Sequence, residues 1–260
     1  MKWLTILVVC LLASAAPADR LRLAVTTSFE NSGLADVLLP AYEAATGARI
    51  DLVIAGTGRA LRLGAAGDVD AVLTHAPEAE AVAVAAGDYL YRRPVMYNDF
   101  VLIGPSTDPA ALTEAASAAD AMLRIAQSAS IFASRGDESG THNAERALWA
   151  EAGFDPAEAS GRWYRGTGSG MGATLNTAVA LGAYALTDRA SWLTFGNQRD
   201  MAILYEGDPA LFNQYAFLPA ANARAPEAVA GFEAWITGPG QAVISGYTLE
   251  GETLFTPNAG

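Results

Sequence analysis

Ser134-Arg135-Gly136-Asp137-Glu138-Ser139-Gly140-Thr141-His142 follows a short apolar run and leads into a helical pattern. A guanidinium, hydroxyls and glycine backbone meet where a helix begins, an arrangement that can hold a compact oxyanion. A charge-assisted hydrogen bond contributes about 1.5–3 kcal/mol, and a helix N-terminus about 0.3–1 kcal/mol. Nanomolar affinity needs about 12 kcal/mol, so one helix end is too little and several donor groups must converge. Three further stretches are of the same kind: Thr26-Thr27-Ser28, Gly56-Thr57-Gly58 and Gly168-Ser169-Gly170-Met171-Gly172. Asp137 is expected to pair with Arg135 and fix its fork. Ordinary capping, by Ser139 in one loop and by Asn31 or Ser32 near another, is the plain alternative for each loop taken singly; four loops of one type favour an anion clamp.

Other chemistries fit less well. Asp137, Ser139 and His142 contain the residue types of a nucleophilic triad, but triad members normally converge from separate elements, and these stand within six residues. A hydrolase or transferase using Ser139 or His142 is therefore a secondary reading. Gly56-Thr57-Gly58 lacks the lysine of a P-loop, and the run 166–172 lacks the context of a dinucleotide fingerprint. Two histidines, His75 and His142, offer few ligands to a transition metal, and no metal or cofactor is expected. His75 follows an apolar strand and reads as a core or rim histidine.

These loops need rigid elements behind them. Apolar spacing predicts strands over 21–26, 49–55 and 70–74, alternating with helices over 32–45, 57–63 and 78–86. A strand over 100–104 leads to a crossing segment over 105–114. A second series follows: helices over 115–127, 141–152, 170–181 and 188–195, with strands over 130–133, 163–165, 183–186 and 201–205. A strand over 215–218 could return the chain to the first part, and helices over 226–236 and 239–245 finish it. The β-α-β order implies parallel sheets covered by helices, in two α/β lobes joined by chain crossings. Loops at the carboxyl ends of the strands would face the cleft between them.

The 260 residues are 52% hydrophobic, enough for a sizeable core. Lys2, the apolar run 3–12 and the small residues of 13–18 read as a cleaved export signal over 1–18. The run is too short to span a bilayer comfortably. Cys10, the one cysteine, lies inside it and is preceded by Val9, which disfavours a lipid anchor; the mature chain would hold no thiol. The formal charge of −12 argues against nucleic acid and anionic membrane as partners. It also repels an anion at long range, so local donors must prevail inside the screening length.

The chain resembles the periplasmic tungstate-binding proteins of tungstate ABC importers. The resemblance runs through Thr26-Thr27-Ser28 with Asn31-Ser32-Gly33-Leu34, Gly56-Thr57-Gly58 with Ala60-Leu61, and Gly67-Asp68-Val69-Asp70 to His75-Ala76-Pro77. It continues in Met96-Tyr97-Asn98-Asp99-Phe100, Ser134 to His142, Gly168 to Gly172 and Leu186-Thr187-Asp188-Arg189-Ala190. It implies a two-lobed α/β periplasmic substrate-binding fold (type II), each lobe a mostly parallel sheet covered by helices, with the ligand in the interlobe cleft. Lobe 1 would comprise 19–104 and 206–260, lobe 2 105–205. It also implies binding of tungstate, or molybdate, and delivery to an ABC permease by a monomeric, non-enzymatic periplasmic receptor. Thr26, Thr27, Ser28 and Arg135 take the places of the family's ligands. Val25 stands where the family often has a further threonine, and its side chain is expected to face the core.

The expected anion site therefore comprises Thr26, Thr27, Ser28, Thr57, Gly58, Arg135, Ser139, Gly140, Thr141, Gly170 and Met171. Phosphate-binding receptors share the Arg-x-Asp-x-Ser-Gly-Thr pattern of Arg135 to Thr141 and are the runner-up. Phosphate carries a proton near neutral pH and benefits from a carboxylate acceptor. A site of donors alone suits the unprotonated tungstate dianion, and the first two loops hold no carboxylate before Glu30. A sensor domain binding the same anion is a third class, with no signalling module visible after Gly251.

Overall fold

The computed structural model describes residues 20–249 and 251–259. The expected export signal over 1–18, with Lys2 and Cys10, lies outside the described residues. The chain begins with β1 (Arg20–Thr26), a short helix α1 (Thr27–Asn31), α2 (Ala35–Thr46), β2 (Arg49–Ala55), α3 (Thr57–Ala65), β3 (Ala71–Thr74) and α4 (Pro77–Ala85). The long strand β4 (Arg93–Pro105) leads to α5 (Ala118–Ser128), β5 (Phe132–Ser134), α6 (Gly140–Glu151), β6 (Tyr164–Gly166), α7 (Met171–Leu181), β7 (Ala185–Asp188), α8 (Arg189–Leu193) and β8 (Met201–Tyr205). Strand β9 (Phe212–Pro219), α9 (Pro226–Ile236), α10 (Gly240–Gly246), a small hairpin of β10 (Thr248–Leu249) and β11 (Glu252–Thr253), and β12 (Thr256–Pro257) complete it.

The main sheet runs in the order β12-β4-β9-β3-β1-β2, and β7 and β8 also pair with β4. Strands β2 and β3 flank β1 in parallel, as the alternating order requires. The expectation of a mostly parallel sheet in each part is corrected here: β9 runs antiparallel to both β3 and β4, and β7, β8 and β12 run antiparallel to β4. The reason lies in the crossings. Strand β4 carries the chain out of the first sheet region and β9 carries it back, so the two lie side by side in opposite directions. Pairing on β4 changes at one point: Arg93 to Asp99 face β9, whereas Phe100 to Pro105 face β7 and β8.

Side-chain alternation explains why both faces are covered. Leu21, Leu23 and Val25 of β1 pack with Tyr42 of α2, Phe232 and Trp235 of α9 and Ile244 of α10. Ala24, on the opposite face, packs with Ala60 and Leu61 of α3, Val72 and Tyr89. Val25 thus faces the core, as expected. The same division recurs on the far half of β4. Phe100 and Leu102 join Met122 and Ile125 of α5 and Trp149 of α6, and Val101 and Ile103 join Leu175 and Ala178 of α7 and Trp192 of α8. Each fully buried leucine, isoleucine, valine, phenylalanine or methionine among them contributes about 1.5–3 kcal/mol, which holds the strand ends and the loops after them in fixed relation. Among the described residues, no helix is long and apolar enough to cross a membrane.

Candidate oxyanion site

Five segments converge on a cavity of about 460 Å³. Its wall consists of Thr27, Ser28 and Asn31 of α1, Gly56 at the entry to α3, and Arg135 and Asp137 of the loop after β5. Gly170 to Ala173 at the entry to α7 and Ser191 of α8 complete it. At about 30 Å³ per water in the liquid, this is room for about fifteen waters. A single tetrahedral anion fills only part of it.

The helix entries differ in how far they satisfy themselves. Thr26 caps α1, its Oγ1 accepting from Phe29 N–H at 3.3 Å. Ser139 caps α6, accepting from His142 N–H at 3.3 Å. The N-caps of α3 and α7 are Gly56 and Gly170, with no side chain to accept from the helix's first N–H groups. Donors that a serine or aspartate would occupy stay open at these two entries, and both glycines line the cavity.

Two of the loops are joined. Ser134 pairs with Gly166 across β5 and β6, Thr167 N–H donates to Ser134 O at 2.9 Å, and Ser169 N–H donates to Arg135 O at 3.2 Å. Gly136 turns the chain between them at φ +60°, and a Cβ there would stand 3.5 Å from the Gly166 Cα. This positions Arg135, which is buried apart from its edge on the cavity. Its Nε and Nη2 donate to Asp137 Oδ2, and Asp137 Oδ1 accepts from Ser139 N–H at 3.2 Å. Burial pushes the Asp137 carboxyl up, but the hydrogen bonds from Ser139 and Arg135 outweigh it and hold the carboxyl below its ordinary 3.8. The pair is therefore ionised and close to neutral as a unit, so much of the field favouring an anion must come from aligned N–H groups and hydroxyls.

Behind Ser28 lies a buried polar cluster. Ser28 Oγ is 2.9 Å from His75 Nε2, 3.0 Å from Thr26 Oγ1 and 3.3 Å from Tyr215 OH. Burial drives the His75 imidazole down to about 4, with the Arg135 charge acting in the same direction, so the ring is neutral. On the other side Ser191 N–H donates to Asp188 Oδ1 at 2.8 Å, which fixes α8 at the wall.

Of the residues expected from the sequence, Thr27, Ser28, Arg135, Gly170 and Met171 line the cavity. The other six do not. Thr26 and Ser139 are caps; for Ser139 that is the plain alternative, whereas in the first loop the cap is Thr26 and not Asn31 or Ser32 as that alternative has it. Thr57 and Thr141 are buried at the first turns of α3 and α6, and Gly56 stands at the wall where Thr57 and Gly58 were expected. Gly140 abuts His75, whose Cε1 would lie 2.6 Å from a Cβ there. The hydroxyl of Ser139 and the ring of His142 do not form a nucleophile and base: His142 Nδ1 accepts from Glu138 N–H at 3.1 Å. Asn31 and Ser191 join the wall without having been expected there. Asn31 is four residues after Thr27 and so shares its helix face, a signal present in the spacing. Ser191 depends on where α8 docks, which spacing does not reveal. A larger cavity of about 640 Å³ runs along α6 between Trp149, Phe154 and Tyr164, where Arg146 stands among Glu138 and Asp155; it shares no residue with the convergence of helix entries.

Known proteins decide the family. The PBP superfamily domain matches residues 13–239, which include all five wall segments. The tungstate-binding protein TupA of Peptoclostridium acidaminophilum is 42% identical over 247 residues, covering 91% of this chain and 85% of the relative. The chain belongs to the TupA-like substrate-binding proteins of the PBP superfamily. Two solved structures agree in fold. The tungstate-binding protein TupA of Desulfovibrio alaskensis G20 superposes with a TM-score of 0.83 at 39% identity, covering 94% of this chain and all of its own. The tungstate ABC transporter structure from Geobacter sulfurreducens gives 0.79 at 42% identity, covering 89% of this chain and all of its own.

Proposed function

We propose that the protein is an extracytoplasmic receptor that binds tungstate, with molybdate the alternative dianion for the same site, and delivers it to an ABC permease. The observation that carries this is the meeting of two uncapped helix entries, at Gly56 and Gly170, with Arg135 and the hydroxyls of Thr27, Ser28 and Ser191 on one cavity. Donors surround the space from separate elements, as a dianion without protons requires. The names of the relatives, tungstate-binding proteins in two cases, support the same ligand.

The pairing change on β4 supports two lobes, one built on β1, β2, β3, β9 and the first half of β4, the other on α5 to β8 and its second half. With walls drawn from both lobes and a cavity larger than the anion, closure would bring the donors together and give a permease a distinct state to recognise. The receptor acts as a monomer, takes no cofactor and carries out no reaction. The export signal that the sequence suggests over 1–18 would fit delivery outside the cytoplasm.

The phosphate reading draws on Asp137, a carboxylate in the wall that could accept a proton from the ligand. Three of its roughly four acceptor positions are already filled, two on Oδ2 by Arg135 and one on Oδ1 by Ser139 N–H, which leaves it little capacity for a ligand proton and favours the unprotonated dianion. Thermal melting of the mature protein with tungstate, molybdate, sulfate and phosphate tests the choice, because a ligand that binds the native state alone raises Tm with its affinity. A large rise with tungstate and little with sulfate or phosphate is expected. A rise with phosphate alone would transfer the protein to the phosphate receptors, and no rise with any of the four would overturn the receptor reading.

A further inference from the structure

We propose that His75 is a positioning residue for anion specificity: its Nε2–H donates to Ser28 Oγ and leaves the Ser28 proton as the one that hydroxyl can give to the ligand. The inference deepens the receptor reading and rests on it.

A serine hydroxyl gives one hydrogen bond and accepts two. Ser28 Oγ has three protein neighbours within 3.3 Å: His75 Nε2, Thr26 Oγ1 and Tyr215 OH. If His75 Nε2–H and one of the two hydroxyls fill its lone pairs, what remains is its own O–H, for which the other hydroxyl and a ligand in the cavity that Ser28 lines then compete. If Nε2 were the bare nitrogen, it would take the Ser28 proton at 2.9 Å. Ser28 would then turn lone pairs toward the cavity and repel an oxyanion.

The surroundings of the ring choose between these cases. His75 is neutral, so it carries one proton. Its Nδ1 is buried and completes no hydrogen bond, although the Asn213 side chain and the residue's own carbonyl lie near enough to the ring to draw its pKa up against burial. It lies against Gly140, the first residue of α6, where a Cβ would approach to 2.9 Å. A proton on Nδ1 would be a buried donor facing the positive end of a twelve-residue helix. An unpartnered buried N–H is less tolerated than an unpartnered acceptor, so the proton belongs on Nε2. Gly140 follows from the same contact, since any side chain there would push the ring off Ser28. The result is a wall hydroxyl locked as a donor, which suits tungstate and molybdate and disfavours ligands that present a proton to it.

Two measurements on the mature protein test this. The ring ¹⁵N resonances of His75 should show the tautomer with Nε2 protonated and Nδ1 bare, with and without tungstate. A protonated Nδ1 and bare Nε2 would overturn the proposal. Tungstate calorimetry on His75→Leu, Ser28→Ala and the double variant gives the coupling. His75→Leu should weaken binding on the order of tenfold, the effect of one hydrogen bond to a charged acceptor. It should do so less than about twofold when Ser28 is already alanine. His75→Gln, which offers an amide N–H near the Nε2 position, should restore most of the loss. A loss of equal size with and without the Ser28 hydroxyl would overturn it. If the unaltered protein binds no tungstate, the receptor reading fails on its own, and the tautomer still decides how Ser28 is oriented.

Discussion

Arg135 and Asp137, two residues apart on one loop, are joined by hydrogen bonds from Nε and Nη2 to a single carboxylate oxygen, Oδ2. One edge of the guanidinium is thereby taken up inside the protein, and the group is aimed before any ligand arrives.

Arg135→Ala should lower tungstate affinity by about two orders of magnitude, since it removes charge-assisted donors worth about 3 kcal/mol and leaves the Asp137 carboxylate bare in the wall. Arg135→Lys should recover little, because a point charge cannot both hold Asp137 and present a second donor edge. Isothermal calorimetry checks both; unchanged affinity in the alanine variant would remove Arg135 from the site.

Gly170→Ser should weaken binding severalfold without loss of stability. The backbone of Gly170 is extended, at φ −64° and ψ 167°, and a Cβ there meets nothing within 4 Å, so the substitution is tolerated. A serine at this N-cap would accept from the N–H of Gly172 or Ala173, taking up a donor that faces the cavity. Tungstate titration together with a melting curve separates the two effects, and an unaltered Kd would show that this entry does not meet the anion.

Glu145 should make the protein less stable as pH rises from 4.5 toward 7. Its side chain is buried in α6, with Oε1 accepting from Tyr164 OH at 2.7 Å and Trp149 Nε1 at 3.3 Å, and burial pushes its carboxyl up from 4.5 to about 7. The folded state keeps a proton that the unfolded chain has already released, so deprotonation favours unfolding across that interval. Glu145→Gln retains the acceptor without the titration. Its advantage over the parent in unfolding free energy, from urea titration, should be small at pH 4 and grow to on the order of 3 kcal/mol by pH 8. An advantage independent of pH would contradict this.

Much of the site is legible in the amino-acid order. Thr27, Ser28, Arg135, Gly170 and Met171 each stand where a strand or loop hands over to a helix, and short-range spacing reports that. The course of β4 is not legible in the same way. Arg93-Pro94-Val95-Met96-Tyr97-Asn98-Asp99 includes residues depleted in strands, yet the strand runs through them to Pro105. Asn98 is satisfied by Asn213 on β9 at 2.7 Å, and Asp99 accepts from Arg189 at the start of α8. Those partners are 115 and 90 residues distant in the chain, which is why local spacing points to mostly parallel sheets where a mixed one forms. His75 is hidden for a similar reason: its place beside Ser28 exists only once β1, β3, α6 and β9 have packed.

The open entries of α3 and α7 carry a consequence for how this site tolerates change. Their donors belong to the main chain, and every amino acid but one supplies the same N–H. An alanine scan would pass over Met171 and Gly172 and report only the side chains, crediting Arg135 with nearly everything. Drift in sequence at these positions would likewise leave the donors in place. Proline alone deletes a main-chain donor, and at the first helical position it does so without breaking the helix. A proline scan through 57–59 and 171–173 would therefore display the part of the recognition surface that heredity can hardly erase.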